Sequence, residues 1–196
     1  MESSRTVVFD LGGVLVPSSR VIPLLAAEVG VPEAAFSAAY WTGRVAFDLG
    51  EDAVVYWTGV VRALDRDPEP ALLERLEHID AHKWSDLPPE SADLLARLVG
   101  ERLAVLSNAP APLAAAVRAA PWSSVMGALV FSAEVALMKP DPSVYARADE
   151  LLGTRSGTTV FFDDKPENVD AARAHGWDAH VWEGPAAALA VLDDAP

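Results

Sequence analysis

The chain has no cysteine among its 196 residues. That excludes disulfides, thiol nucleophiles and thiolate metal sites, and leaves oxygen ligands or histidine to hold any ion. Basic residues are scarce: 15 Lys and Arg stand against 29 Asp and Glu, for a net charge of −14, with no Lys/Arg cluster. Nucleic acid and anionic membrane surfaces are therefore poor partners, and an anionic substrate must be met by local features or by a metal. No apolar run approaches membrane-spanning length, and Met1-Glu2-Ser3-Ser4-Arg5 lacks the basic-then-apolar pattern of a signal peptide. The expectation is a cytoplasmic protein that makes no membrane contact. What is present is a 51% hydrophobic composition, enough to bury one sizeable core.

Five short β-rich runs stand out, at Thr6–Phe9, Leu103–Leu106, Ala128–Phe131, Thr158–Phe162 and Ala179–Trp182. Helix-like segments near Ala111–Ala120, Pro142–Leu152 and Glu167–His175 alternate with the last four, and Pro185–Leu192 closes the chain. Alternation of this kind predicts a three-layer, Rossmann-like α/β core with a parallel sheet and right-handed crossovers. Ligands of such sheets sit outside the carboxyl ends of the strands. The long interval between the first two strands holds no convincing strand. Ile22–Val29, Glu33–Trp41, Glu51–Leu64 and Pro68–Ile79 read instead as amphipathic helices, and Pro89–Val99 leads into the second strand. Residues 17–85 are thus expected to form a helical insert over the sheet's carboxyl edge, with 1–16 and 86–196 as the core.

Chemistry-bearing residues follow the strands. An uncharged strand delivers Asp10 into the pair Gly12-Gly13, where a backbone without Cβ atoms can turn sharply beside an anion. The second strand ends in Ser107-Asn108, a hydroxyl and an amide that can donate to an anion. Lys139-Pro140 follows the third strand, and with Lys165 it puts two of the chain's three lysines beside these segments. The fourth strand ends in Asp163-Asp164, two adjacent carboxylates whose repulsion a cation would relieve. Glu134 is expected near Lys139 as an ion-pair partner. Trp41, Trp57 and Trp84 read as core of the insert, or one of them as lining of a substrate pocket, and His175 and His180 read as structural.

Asp10-Leu11-Gly12-Gly13-Val14, Ser107-Asn108, Lys139-Pro140 and Asp163-Asp164 resemble, in order, the four motifs of the haloacid dehalogenase superfamily of hydrolases. The resemblance covers essentially the whole chain, and its insert is similar to the family's helical cap. Phe161-Phe162-Asp163-Asp164-Lys165-Pro166-Glu167-Asn168 and Ala171-Ala172-Arg173-Ala174-His175-Gly176 most resemble the small-sugar-phosphate phosphatases of the group. The resemblance implies that Asp10 attacks phosphorus to form an aspartyl-phosphate on a small phosphorylated metabolite. It implies Mg²⁺ held by Asp10, the Gly12 carbonyl, Asp164 and Asp163, the last two directly or through water, a set that suits a hard cation. It also implies that Ser107, Asn108 and the amides after Gly12, Gly13 included, hold phosphoryl oxygens while Lys139 offsets developing charge.

One position departs from the pattern. Family phosphatases usually carry a second Asp two residues after the nucleophile as general acid and base, and here that position is Gly12. General acid–base help is worth roughly 10² to 10⁴ in rate, so a replacement from the insert is sought among Asp48, Glu51, His78 and His82. Other readings stay open. A 2-haloacid dehalogenase would use the same Asp nucleophile, although Gly12 stands where that branch has a bulky aromatic; Arg20 and Arg44 are its candidate arginines. Phosphonate cleavage would call on Lys83, the insert's one lysine. A degenerate member would bind phosphate without turnover.

Overall fold

The computed structural model describes residues 5–17, 21–154 and 157–194. Arg20, one of the two candidate arginines, lies outside them.

Strands β1 (Thr6–Phe9), β2 (Arg102–Ser107), β3 (Ala128–Phe131), β4 (Thr159–Asp163) and β5 (Asp178–Val181) form one sheet in the order β3-β2-β1-β4-β5, and every pairing is parallel. This is the Rossmann-like α/β arrangement that the strand and helix alternation predicts. β1 is central and flanked by β2 and β4, so Asp10, Ser107 and Asp163 emerge side by side at one carboxyl edge. The period of two along a strand explains the two apolar layers. Val7 and Phe9 pack on one face with α6 (Pro89–Arg97), α7 (Ala111–Ala119) and α11 (Pro185–Asp194). Val8 packs on the other with α9 (Pro142–Leu152) and α10 (Pro166–His175). Fully burying each such side chain contributes about 1.5–3 kcal/mol.

The insert comprises α1 (Ile22–Val29), α2 (Glu33–Trp41), α3 (Arg44–Asp48), α4 (Ala53–Ala63) and α5 (Pro70–Ser85). Its apolar residues join the core layer that holds Val7 and Phe9, so the two parts share one interior. Two details differ from the sequence reading. The helix expected over Glu51–Leu64 begins only at Ala53, because Asp52 Oδ1 accepts from the amides of Val54 and Val55 as its N-cap. Gly50, at φ +103°, separates it from the short α3, which the periodicity did not reveal. The second detail is α5, which runs on past Ile79 to Ser85 and brings Trp84 to the sheet edge. A further turn, α8 (Ser132–Val135), follows β3 directly. Among the described residues, no single helix is long and apolar enough to cross a membrane.

Candidate active site

Asp10 is 7% exposed, and its Oδ1 accepts from the Leu11 amide at 2.7 Å and from Lys139 Nζ at 2.9 Å. Lys139, 2% exposed, also donates to Asp163 Oδ2 at 2.6 Å. Asp163 is wholly enclosed, and its Oδ1 accepts from the Lys165 amide and from Asn168 Nδ2, each at 2.9 Å. One ammonium thus bridges two buried carboxylates, an arrangement whose geometry must be good to offset desolvation. One oxygen each from Asp10, Asp163 and Asp164 lie within 4.8 Å of one another.

These neighbours set the protonation. Burial raises the Asp10 carboxyl to about 6; Lys139 opposes that rise and Asp163 adds to it. Burial works against the Lys139 ammonium, but Asp10 and Asp163 more than offset it and hold the group above its usual value. Burial, reinforced by Asp163, also raises Asp164.

Several residues take roles different from those expected. The Asn108 Oδ1 accepts from the Lys139 amide and its Nδ2 donates to the Lys139 carbonyl, each at 2.9 Å, so this amide braces the lysine's backbone. The Gly13 N–H donates to the Val16 carbonyl at 2.8 Å, which withdraws it from anion binding. Gly13 is needed for space instead: at φ +83°, a Cβ there would lie 2.3 Å from Asp164 Oδ2. Glu134 pairs with Arg118 at 2.6 Å, while Lys139 is taken by the two aspartates. Asn168, in the first turn of α10, braces Asp163.

Above the sheet edge lies a cavity of about 470 Å³. Asp10, Gly12, Ser107, Lys139 and Asp164 line its floor, and Trp41, Arg44, Asp48 and Trp84 line its wall from the insert. Trp41 and Trp84 therefore face the cavity, whereas Trp57 is buried in the insert. A Cβ on Gly12 would meet Trp84 Cζ3 at 3.1 Å, so the indole occupies the room that a longer side chain at position 12 would need.

Behind the wall, Arg44 Nε donates to Asp48 Oδ1 at 2.8 Å, and Arg44 Nη1 reaches Asp80 Oδ2 at 3.4 Å and the Tyr40 hydroxyl. Tyr40 Oη donates to Asp80 Oδ1 at 2.6 Å and accepts from Trp84 Nε1 at 3.0 Å. Burial raises Asp48 to about 6 against the pull of Arg44, and raises Asp80 as well. Of the four insert candidates, Asp48 alone lines this cavity. Glu51 is exposed, and His78 and His82 line a separate depression with Lys83, which pairs with Asp86 at 3.6 Å. Lys83, on which phosphonate cleavage would call, thus does not line this cavity.

A family model described as haloacid dehalogenase-like hydrolase matches residues 4–176. The (S)-2-haloacid dehalogenase 4A of Burkholderia cepacia is 25% identical over 194 residues, covering 90% of this chain and 82% of that one. The L-2-haloacid dehalogenase structure from Xanthobacter autotrophicus superposes with a TM-score of 0.73 at 20% identity, over 98% of this chain and 84% of that one. An Asp-to-Ala variant of a Bacteroides thetaiotaomicron enzyme of the same family, complexed with magnesium and inorganic phosphate, gives 0.72 at 16% identity, over 93% and 95% of the two chains. At such identities the structures speak for the fold alone. The curated relative is a 2-haloacid dehalogenase, where the wording of the motifs pointed to sugar-phosphate phosphatases. Fold, strand-end residues and the model match over most of the length agree that the chain belongs to the haloacid dehalogenase-like hydrolases.

Proposed function

We propose that this hydrolase is a Mg²⁺-dependent phosphatase acting on a small phosphorylated metabolite through an aspartyl-phosphate on Asp10. The observation that carries the reading is the approach of Asp10, Asp163 and Asp164 oxygens to within 4.8 Å of one another. Three hard oxygen donors this close suit a small divalent cation, which Asp10, Asp164 and the Gly12 carbonyl would hold, with Asp163 directly or through water. Bound there, Mg²⁺ would offset the repulsion between an anionic nucleophile and an anionic ester.

The chain's own residues supply the rest. With Oδ1 engaged by the Leu11 amide and Lys139, Asp10 keeps Oδ2 for attack on phosphorus. Lys139 neutralises charge on the phosphoryl oxygens and on Asp10 in turn, and Asp163 and Asn108 fix its position. Ser107, buried at the end of β2, offers its hydroxyl to a phosphoryl oxygen.

A second reading is favoured by different observations. The curated relative is a 2-haloacid dehalogenase, Gly12 carries no acid, and Arg44 supplies a cation in the cavity. Asp10 would then attack the halogen-bearing carbon, expel halide and form an ester that water hydrolyses. The named relatives favour this alternative, whereas the carboxylate geometry favours the phosphatase.

One experiment separates them: an aryl and alkyl phosphate panel and a 2-haloacid panel, run on wild type and Asp10→Asn with Mg²⁺ or with EDTA. The phosphatase reading expects phosphate release that Mg²⁺ supports and that EDTA and Asp10→Asn abolish. Halide release in EDTA, with no ester turnover, would overturn it.

A further inference from the structure

We propose that Asp48 is the proton carrier of this site, giving its proton to the leaving-group oxygen and later taking one from water. The inference rests on the phosphatase reading above and adds to it the acid that position 12 lacks.

Three observations lead to Asp48. Trp84 fills the space beside Gly12, so no acid from the nucleophile's own loop occupies that place. The cavity is lined by the carboxylates of Asp10, Asp164 and Asp48; the first two are committed to nucleophile and metal, and Asp48 approaches from the opposite wall. Its position is fixed from the core: Ser132 Oγ, at the start of α8, donates to the Asp48 carbonyl while accepting from the Ala109 amide. A hydroxyl fixed behind β3 therefore holds the end of α3 against the sheet edge. A proton donor acts only if its distance to the reacting atom is held.

The charge balance around Asp48 provides the proton. Arg44 bonds to two buried carboxylates, Asp48 and Asp80. Asp80 is closed in by Tyr40 and Arg44 and does not line the cavity, so Asp48 is the member of the pair that can exchange a proton with substrate. One guanidinium cannot neutralise both acids, and burial disfavours the surplus charge. Burial raises Asp48 to about 6, with Asp80 adding to the rise and Arg44 and Lys165 pulling it down. A carboxyl titrating there can act as acid and as base near neutrality.

In the first step an Asp10 oxygen bonds to phosphorus, the bond from phosphorus to the leaving oxygen breaks, and the Asp48 proton passes to that oxygen to give a neutral alcohol. In the second step a water oxygen bonds to phosphorus and the Asp10–phosphorus bond breaks. The water proton returns to Asp48, inorganic phosphate departs, and both carboxyl groups regain their starting state.

The test compares kcat/KM of wild type and Asp48→Asn on an alkyl phosphate and on 4-nitrophenyl phosphate, because kcat/KM reports phosphoryl transfer to Asp10. Nitrophenolate leaves without a proton, so the loss on the alkyl ester, about 10²-fold or more, should exceed that on the aryl ester at least about tenfold. Equal losses on both esters, or no loss on the alkyl ester, would overturn the proposal. A wild-type series of esters serves if Asp48→Asn does not fold. Protonation predicts a shallow dependence of kcat/KM on leaving-group pKa, and a steep dependence overturns it. If wild type hydrolyses no phosphate ester at all, the phosphatase reading itself falls, and this inference falls with it.

Discussion

The floor and the wall of the cavity are built on different principles. On the floor, Asp10, Asp163 and Asp164 stand at or just after the end of a parallel strand, Lys139 follows the short α8 beyond β3, and this one lysine ties Asp10 to Asp163. On the wall, Arg44 and Asp48 come from a helix, with Asp80 behind them on another, and all are held by aromatic packing, with Tyr40 and Trp84 in their hydrogen-bond network. The carboxylates of the floor owe their positions to strand ends, and Lys139 to the Asn108 brace. The wall has a packing reason, and it carries two buried acids on one cation. The floor is thus suited to chemistry that stays fixed, and the wall to choosing the substrate and handling protons.

The sharpest break in this contrast is on the floor. Asp10→Asn should reduce turnover by about 10⁴-fold or more while leaving the fold intact, as steady-state kinetics and circular dichroism would show. Next is Lys139→Met, which leaves Asp10 and Asp163 buried without their cation. It should cost about 3–5 kcal/mol in urea unfolding and most of the activity. On the wall, Arg44→Met leaves Asp48 and Asp80 unpaired, and a stability loss of similar size is expected at pH 8. That loss should shrink at pH 5, where the orphaned carboxyls are protonated.

Smaller still is the effect of Asp48→Asn on the pH dependence of stability. The folded protein holds the Asp48 proton up to about 6, whereas an unfolded Asp releases it near 3.8. Between those values the native state binds more protons, so this residue lowers stability as pH rises. Asp48→Asn should remove roughly 2–3 kcal/mol of that decline between pH 4 and 6.5, read from urea midpoints. Glu51→Gln, one residue from the end of the Gly50 turn and exposed, should change stability and activity least, by under about 0.5 kcal/mol.

The same contrast explains what could be read from the sequence. Asp10, Ser107, Lys139 and Asp163-Asp164 were legible because each follows an apolar run, and parallel strands bring such positions to one edge. The resemblance to the family's phosphatases also marked the missing acid at Gly12. The bracing roles were not legible: Asn108 and Gly13 satisfy backbone groups and space that only the folded loops define. Nor was the wall, because Arg44 and Asp48 sit on a five-residue helix too short to show a period, and Asp80 joins them from α5. Asp48 could be named as a candidate, but its selection over Glu51, His78 and His82 needed the cavity.

The destination of solvent oxygen tests the central claim most directly. Wild type is turned over on a phosphate ester with Mg²⁺ in H₂¹⁸O, and the released phosphate and the proteolytic peptide containing Asp10 are weighed by mass spectrometry. Attack of water on phosphorus puts the label in phosphate and leaves Asp10 unlabelled, which is the outcome the account predicts. Label in the Asp10 carboxyl would contradict it, because it means that water attacks the carbonyl carbon of an Asp10 ester, as in carbon–halogen hydrolysis.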